Sequence, residues 1–222
     1  LQQDRLTVLG ELTAGIAHEL NTPLGNVLGY AELLRAGERD PARREDLQRI
    51  IDSALTGREV VKRLMYFSCE MPSQFREQDL NTVVEGVLRL LHRQVVEARL
   101  ELRTELAPPL PPVRLDRVQF EQVLTNLVLN AVAATPPGGH LHIATEVVDG
   151  GVQLRVSDTG HGIAPEHLRK IFQPFFTTKP PGVGTGLGLS VVPGTIKGHG
   201  GDIRVESAPG EGATFIITLP AA

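Results

Sequence analysis

The chain has few aromatic residues, a single cysteine and no surplus of positive charge. Phe, Trp and Tyr make up 4% of the 222 residues, and tryptophan is absent. One cysteine, Cys69, excludes an internal disulfide and is typical of a reducing compartment. A formal net charge of −4 argues against a nucleic-acid partner, because such a partner usually requires a basic face. We therefore expect a cytoplasmic chain without a nucleic-acid partner.

The chain also lacks the segments that would place it in or across a membrane. No uninterrupted apolar stretch approaches the roughly 20 residues that span a bilayer, and no signal-peptide pattern is present. Leu1 is not a natural start, so we expect a fragment of a longer protein. A membrane anchor in that longer protein is compatible with this composition.

The first third of the chain carries a helical pattern instead. Aliphatic residues recur mostly at three- or four-residue steps over residues 1–36 and again over residues 42–70, which predicts two amphipathic helices. The intervening GERDP, residues 37–41, combines a helix stop with a turn. A lone antiparallel hairpin buries too little apolar surface to be stable. We therefore expect a homodimer in which two hairpins form a four-helix bundle.

The pattern changes after residue 71. Met71-Pro72-Ser73 breaks the second helix and begins a linker over residues 72–78. The predicted fold class is α+β, with a helical domain at 1–71 and an α/β sandwich at 79–222. The sandwich is predicted to contain one helix capped by Asp79 or Asn81, another helix that begins at Asp116, and the strands of a mixed sheet. These strands are residues 100–106, 140–148, 151–159, 202–208 and 213–219.

His18 lies in the first predicted helix, within TAGIAHELNTPL at residues 13–24. A neutral imidazole nitrogen is a good nucleophile toward phosphorus near neutral pH, because its ordinary pKa is about 6.5. A phosphoryl acceptor also needs a base for the proton on the other ring nitrogen, and Glu19 is the nearest candidate. Pro23 is expected to bend the helix just past the histidine. By itself such a histidine is most often a solvated helix residue, so the assignment depends on the motifs downstream.

Asn126 and Asn130 are four residues apart on a predicted helix and therefore share one face. A side-chain carbonyl is a hard oxygen ligand that suits Mg²⁺, which keeps most of its waters and bridges phosphates. A pair of core or capping amides is the alternative. The residues alone leave both interpretations open.

Asp158 ends a predicted strand and begins the sequence Asp-Thr-Gly-His-Gly. A carboxylate at a strand end can accept a hydrogen bond from the exocyclic amine of adenine, which distinguishes adenine from guanine. Gly160 and Gly162 allow the backbone to approach a base closely. Because D-x-G-x-G is a common pattern, an ordinary turn is the alternative.

A glycine-rich stretch, GVGTGLGL at residues 182–189, leads into a predicted helix start at Leu187–Ser190. Backbone of this kind forms a phosphate cradle, because its N–H groups point toward the ligand. The stretch is not a P-loop, since G-x-x-x-x-G-K-[ST] is missing, and no strand directly precedes it as in a dinucleotide fingerprint. Lys179 can pair with a phosphate, and the phenylalanines in FQPFFTT before it are expected to hinge a lid.

All five motifs, in this order, resemble those of the sensor histidine protein kinases of two-component signalling. The resemblance covers nearly the whole chain: a dimerisation and phosphoacceptor hairpin is followed by a GHKL-type ATP-binding domain. It implies ATP-dependent autophosphorylation of His18 and transfer to an aspartate of a response regulator, under an upstream sensor domain outside this fragment. Glu19 and Thr22, spaced as Glu-x-x-Thr, resemble the pattern that dephosphorylates the partner, with Thr22 orienting a water.

In the ATP-binding half, the resemblance implies that Asn130 is the magnesium ligand and that Asn126 supports the phosphates of Mg-ATP. The other implied nucleotide-binding residues are Asp158, Gly160, Gly162, Lys179, Gly184, Thr185, Gly186, Leu187, Gly188 and Thr214. Ala134 stands where some relatives stack an aromatic ring on adenine. Pro193-Gly194 falls inside a predicted helix, at an expected cost of about 3–4 kcal/mol.

Two other classes of protein remain open from the sequence. Another ATPase of the same nucleotide-binding fold would drive a clamp and would lack the histidine-bearing hairpin. An inactive signalling scaffold is the third class, and the intact asparagine, aspartate and glycine motifs argue against it. His140 and His142 share one side of a strand, but we expect no metal there because no further ligands cluster with them. The remaining histidines, among them His199, are expected at the surface or in loops.

Overall fold

The computed structural model describes residues 2–68, 73–179, 184 and 186–222. The chain divides into two compact units, Leu1–Pro72 and Ser73–Ala222. Within the described ranges, no helix is both long enough and apolar enough to cross a membrane. The elements in chain order are α1 (Gln2–Gly37), α2 (Pro41–Ser68), β1 (Phe75–Gln78), α3 (Leu80–Glu97), β2 (Glu101–Leu106), β3 (Val113–Asp116), α4 (Arg117–Ala134), β4 (His140–Val148), β5 (Gly151–Asp158), α5 (Pro165–Leu168), α6 (Val192–Gly198), β6 (Asp202–Ser207) and β7 (Ala213–Pro220).

The first unit is a hairpin of two long helices, as the periodicity predicts. α1 continues through Pro23, and α2 begins at Pro41 after a short loop. Proline suits the first position of a helix, because the N–H that it lacks has no helical partner there. The carboxylate of Asp40 accepts the N–H of Ala42 at 2.9 Å and so caps the start of α2. Among the residues of this unit whose side chains the structure describes, the buried apolar ones are Ala31, Ile51, Ala54 and Val61.

One apolar face of the hairpin is left exposed. Leu20, Val27 and Leu34 recur every seven residues along α1 and are 43%, 46% and 63% exposed. Ile50 on α2 is 45% exposed, and a groove of about 360 Å³ runs beside Val27 and Ile50. We call these four residues the hairpin seam. A seven-residue apolar repeat is the pattern with which helices pack against further helices in a bundle.

The second unit is built on a five-stranded sheet in the order β2-β4-β5-β7-β6. β2 and β4 are parallel, and the other neighbouring strands are antiparallel. Alternate residues of the strands are buried, such as Leu141 and Ile143 of β4, and they form one core with the apolar faces of α3, α4 and α6. The predicted α/β architecture with a mixed sheet is therefore confirmed.

Two aspartates begin the long helices of this core. Asp79 caps α3 by accepting the N–H of Asn81 at 3.0 Å, and Asp116 caps α4 by accepting the N–H of Gln119 at 3.0 Å. From its cap, α4 runs to Ala134 with Phe120, Val123, Leu124, Leu127 and Val128 buried. These buried residues fix the rotation of α4 and so place the face that carries the two asparagines.

The linker predicted over residues 72–78 is shorter in the structure. Phe75–Gln78 form β1, which pairs antiparallel with β3. Four-residue strands carry too little alternation to be recognised from sequence. This pair is instead stabilised by contacts between residues that are distant along the chain. One of them is the hydrogen bond that the N–H of Gln74 donates to the Asp116 carboxylate at 2.7 Å.

The helix after the glycine-rich stretch begins later than the predicted Leu187–Ser190. Residues 188–191 form turns, and α6 begins at Val192, so Pro193 lies in its first turn. A proline in the first turn removes no helical hydrogen bond. The expected cost of an interior proline therefore does not arise.

Candidate functional site

α4 carries both asparagines, and both are half-buried. Asn126 Nδ2 donates to the carbonyl oxygen of Gly188 at 2.8 Å, which ties the helix to the glycine-rich stretch. A Cβ at residue 188 would lie 3.3 Å from Asn126 Oδ1, so glycine permits this close approach. Asn130 lies one turn further along the same face. The helix therefore places one amide against the glycine-rich backbone and the next amide beyond it.

Asp158 ends β5 and is 8% exposed. Its Oδ1 accepts the N–H of Gly160 at 2.8 Å. Burial raises the pKa of this carboxyl, although the N–H groups of Gly160 and Ala213 and the nearby His161 act in the opposite direction. Each carboxylate oxygen has two lone pairs, so the group keeps acceptor capacity for the N–H of a ligand.

The loop after Asp158 is packed closely against two neighbouring segments. A Cβ at residue 160 would lie 2.5 Å from the carbonyl oxygen of Ala134, and a Cβ at residue 162 would lie 1.9 Å from that of Ala208. Gly162 also has a φ of +69°. Only glycine fits both positions. The end of α4 and the turn after β6 are thereby brought beside the Asp158 loop.

Ser207, at the end of β6, joins these loops and was not identified from the sequence. Its hydroxyl accepts the N–H of Ile163 at 2.8 Å and donates to the carbonyl oxygen of Gly212 at 2.6 Å. A Cβ at residue 212 would lie 1.9 Å from the carbonyl oxygen of Asp158. A serine in a strand-to-turn segment is too common to give a sequence signal, so this role emerges only from the fold.

The structure does not bring Thr214 to the Asp158 carboxylate. Asp158 is opposite Ala213 in the sheet, and Thr214 is opposite Ser157. Because successive residues of a strand face opposite sides, the side chains of Asp158 and Thr214 lie on opposite faces of the sheet. The Thr214 hydroxyl donates to Ser157 Oγ at 3.0 Å instead. We therefore remove Thr214 from the candidate nucleotide-binding residues.

The predicted lid is held together at its two ends. The N–H of Phe175 donates to the carbonyl oxygen of Gly186 at 3.0 Å. Gly186 has a φ of +64°, and a Cβ there would lie 2.4 Å from the carbonyl carbon of Phe175. Glycine is therefore required where the end of the segment returns to its start.

Within this segment, Gly184 lies against Lys179. A Cβ at residue 184 would lie 2.5 Å from Thr177 Oγ1 and 3.1 Å from Lys179 Cβ. Leu187 is 4% exposed, which anchors the backbone just before Gly188. Thr185 lies outside the residues that the structure describes. The described glycines thus keep the backbone close to the lysine that the sequence assigns to a phosphate.

In the first unit, the backbone of His18 lies in α1, and its side chain is outside the part of the chain that the structure describes. Glu19, Thr22 and Pro23 are exposed on the same stretch of α1. The helix after the histidine therefore offers a face that another molecule can approach.

The histidines of the second unit form no metal centre. Among the described residues, no three His, Cys, Asp or Glu side chains gather in a group that could hold a metal ion. His140 Nδ1 lies 3.1 Å from Glu101 Oε2, and His142 Nε2 lies 3.5 Å from Glu105 Oε1. These are two separate pairs across neighbouring strands. A magnesium ion held mainly by phosphates and water does not need such a group, so one asparagine oxygen suits it.

His199 lies in the turn after α6, which agrees with the prediction of a loop position, but its side chain is not at the surface. His199 is 5% exposed and packs edge-on to Phe75, with ring centroids 4.9 Å apart. Phe75 belongs to β1, the strand that the sequence did not reveal. The burial of His199 was therefore not predictable from the sequence around it.

Comparison with protein families finds matches in both units. Residues 8–70 match the family described as the His Kinase A (phospho-acceptor) domain. Residues 115–222 match the family described as histidine kinase-, DNA gyrase B-, and HSP90-like ATPase. The signal transduction histidine-protein kinase AtoS of Escherichia coli (strain K12) is 41% identical over 220 residues, which are 99% of this chain and 36% of AtoS. The chain therefore spans only about a third of that relative's length.

Solved histidine kinases share the fold. The catalytic domain of histidine kinase ThkA is 36% identical with a TM-score of 0.60, over 66% of this chain and 95% of that domain. Full-length ShkA in complex with AMPPNP has a TM-score of 0.81 at 29% identity, over 96% of this chain and 46% of ShkA. ThkA in complex with the response regulator protein TrrA has a TM-score of 0.71 at 31% identity, over 99% of this chain and 64% of that chain.

Proposed function

This chain belongs to the sensor histidine kinases of two-component systems, and from that premise we propose that it phosphorylates itself on His18 with Mg-ATP. The phosphoryl group then passes to an aspartate of a response regulator. Residues 1–71 act as the dimerisation and phosphotransfer domain, and the second unit acts as the ATP-binding domain. The sensor domain that controls them lies outside these residues.

The observation that carries this proposal is the buried Asp158 carboxylate beside the asparagine helix. Asp158 accepts a hydrogen bond from the exocyclic amine of adenine, while Gly160 and Gly162 hold the Asp158 loop against the backbone of Ala134 and Ala208. The ribose-phosphate chain then extends toward Asn126 and the glycine-rich stretch at Gly188, which are already joined at 2.8 Å. A base pocket and a phosphate cradle within one unit are the parts that an ATP site needs. We assign Gly184, Gly186, Leu187 and, from the sequence resemblance alone, Thr185 to nucleotide binding, and we assign Lys179 to pairing with a phosphate.

Catalysis in such a site depends on positioning and on charge neutralisation. An imidazole nitrogen of His18 forms the new bond to the γ-phosphorus as the bond between that phosphorus and the departing ADP oxygen breaks. Glu19 takes the proton from the other ring nitrogen. The aspartate of the response regulator then attacks the phosphorus of the phosphohistidine, the P–N bond breaks, and Glu19 returns its proton so that His18 leaves as the neutral imidazole. The test of the whole proposal is transfer of label from γ-labelled ATP to this protein.

Asn130 fits the role of magnesium ligand, because its amide oxygen is a hard donor on the helix face that bears Asn126. We expect Asn130→Ala to remove most of the magnesium dependence of ATP binding. Its affinity for ATP in the presence of Mg²⁺ should fall to the affinity that is measured when a chelator removes Mg²⁺. Titration of a fluorescent ATP analogue with and without Mg²⁺ measures this. Gln122→Ala, on the same helix, is the matched control and should keep the magnesium effect. A normal magnesium effect in Asn130→Ala would exclude Asn130 as the ligand.

The hairpin seam fits a second copy of this chain. The apolar side chains of Leu20, Val27, Leu34 and Ile50 remain between 43% and 63% exposed in one hairpin, and a four-helix bundle would cover them. Covering them contributes roughly 25 cal/mol for each Å² of apolar surface removed from water. The homodimer is therefore the state in which the first unit is stable.

A charge placed in the seam should separate the two copies. We expect Val27→Glu to weaken dimerisation by at least about tenfold, because an unpaired carboxylate would be buried at the interface. Sedimentation velocity over a dilution series measures the dissociation constant. Val118→Glu is the matched control, since Val118 is 61% exposed on α4 of the other unit. A wild-type protein that is monomeric, or a Val27→Glu dimer of unchanged affinity, would contradict the bundle.

A response regulator is the proposed partner, and Glu19 and Thr22 would also serve to dephosphorylate it. Thr22 lies one helical turn beyond His18, on the same face of α1. Its hydroxyl can orient a water toward a phospho-aspartate docked at that face. ThkA bound to TrrA supplies a precedent for such a partner in a protein that is 31% identical to this chain.

A further inference from the structure

His199 is a buried histidine whose two ring nitrogens are both engaged. Its Nδ1 lies 2.7 Å from the carbonyl oxygen of Thr195, and its Nε2 accepts the backbone N–H of Asp116 at 3.0 Å. Nδ1 must therefore carry the proton, and Nε2 must be unprotonated. The ring thus connects the end of α6 to the start of α4 with a defined donor and a defined acceptor.

Asp116, the partner of His199, holds three segments at once. Its Oδ1 accepts the N–H of Gln119 and caps α4, and its Oδ2 accepts the N–H of Gln74 at 2.7 Å. Phe75 and Phe120 pack around the imidazole at centroid distances of 4.9 and 6.2 Å. The N–H of Asp116 is buried here with His199 as its acceptor, so loss of the imidazole would leave it unpaired.

The segment from Gly188 to His199 is attached to α4 at both ends. At one end Gly188 accepts from Asn126, and at the other end His199 accepts from Asp116. The twelve residues 188–199 therefore run alongside the eleven residues 116–126 in the opposite direction, with Val192 and Ile196 buried between the attachments. The lid ends immediately before Gly188, so this segment is the stem on which the lid is mounted.

We propose that His199 is a positioning residue for the nucleotide site, which fixes the register of the lid stem against the asparagine helix. The proposal rests on the proposed function, since it assumes that ATP binds between α4 and the lid. The backbone that carries the Asn126–Gly188 hydrogen bond lacks the support of a helix, because residues 188–191 form turns. The His199–Asp116 bond supplies that support from the far end of the stem. Without it, Gly188 can shift along α4 and the phosphate cradle loses its preferred geometry.

Two substitutions separate hydrogen bonding from packing at this position. Phenylalanine preserves an aromatic ring between Phe75 and Phe120 but offers no acceptor to the Asp116 N–H. Glutamine has a carbonyl oxygen at nearly the same distance from the backbone as Nε2, so it can accept the Asp116 N–H. Its amide N–H can donate to the carbonyl oxygen of Thr195. We expect His199→Phe to weaken the binding of a fluorescent ATP analogue by about tenfold, as one unpaired buried N–H can. His199→Gln should bind within about threefold of the wild type.

The control is a variant that loses stability through a substitution outside the stem. Val152→Ala truncates a fully buried side chain at the start of β5, at the opposite end of that strand from Asp158. All variants are measured well below their melting temperatures, with the folded fraction checked by circular dichroism. Hydrogen exchange of the amides at 188–192 is the second readout and should accelerate in His199→Phe alone.

The outcomes distinguish the possibilities. Weak binding and fast exchange at 188–192 in His199→Phe, with rescue by His199→Gln, supports the positioning role. Equal losses in both His199 variants, or binding that simply follows melting temperature as in Val152→Ala, would overturn it and leave His199 a core residue. Failure of the wild type to bind the ATP analogue would instead contradict the proposed function itself.

Discussion

Asp158→Asn is expected to lower ATP affinity on the order of a hundredfold while the second unit stays folded. The carboxylate is a charged acceptor in a nearly dry site, and hydrogen bonds to charged groups contribute about 1.5–3 kcal/mol. In asparagine, an NH2 group replaces one carboxylate oxygen. This donor would face the adenine amine, which is also a donor, so no hydrogen bond could form between them. Calorimetric titration with ATP and with GTP measures the effect, and the wild-type preference for adenine should disappear. Unchanged ATP affinity in this variant would remove Asp158 from the site.

The same substitution has a pH signature in stability. Burial raises the pKa of Asp158 above its ordinary value, so the folded protein binds more protons than the unfolded chain over that interval. The wild type therefore loses stability as pH rises through the raised pKa. Asparagine carries no such charge, so the melting temperature of Asp158→Asn relative to the wild type should increase as the pH rises above the ordinary aspartate pKa of about 4. A difference that is constant with pH would contradict the raised pKa.

Gly160→Ala is the companion that separates the two effects. Its Cβ would meet the carbonyl oxygen of Ala134 at 2.5 Å, so the loop must move. This variant should lose ATP affinity together with melting temperature, whereas Asp158→Asn should lose ATP affinity while the second unit stays folded.

His18→Gln is expected to abolish phosphorylation of the protein altogether. Glutamine is a good helix former, so α1 should persist, but its amide nitrogen is not a nucleophile toward phosphorus. The ATP-binding unit is untouched, so ATP affinity should stay within about twofold of the wild type, well under the tenfold change that 1.4 kcal/mol produces. The measurement is incorporation of label from γ-labelled ATP, with ATP binding recorded on the same preparation. Acid-labile label remaining on His18→Gln would show that another residue is the acceptor.

This variant also separates the proposed function from its main alternative. A clamp ATPase of the same nucleotide-binding fold would hydrolyse ATP without becoming labelled, and His18→Gln would leave its turnover unchanged. An inactive scaffold would show neither label nor turnover in the wild type. Label that depends on His18 is expected only from a histidine kinase.

The sequence predicted the long elements because their patterns are strong and local. The repeats of α1 and α2, the cap residues Asp79 and Asp116, and the alternation of the four later strands each depend on neighbours within about ten residues. β1 and β3 were not predicted, because a strand of four residues shows too little alternation of apolar and polar side chains. The glycine-rich stretch predicts a start of α6 that is too early. The helix begins only at Val192, and Pro193 lies in its first turn.

Those parts of the site were predictable in which the residue type and the spacing along the chain by themselves indicate a function. Asp158 with its glycines, and Asn126 with Asn130, stand out by residue type and spacing. Thr214 follows Ala213, the residue opposite Asp158 in the sheet, and in a strand one residue changes the face of the sheet. Ser207 and His199 could not be found, since their roles come from contacts with Gly212 and Asp116, which only the folded chain brings near.

The most direct measurement of the central claim is the chemical stability of the label on wild-type protein after incubation with γ-labelled Mg-ATP. A phosphohistidine has a P–N bond, which is lost in acid and survives base. We predict label that disappears on acid treatment, persists in alkali and maps to the peptide that contains His18. Acid-stable label on a serine or threonine, or hydrolysis of ATP with no label on the protein at any pH, would contradict the account.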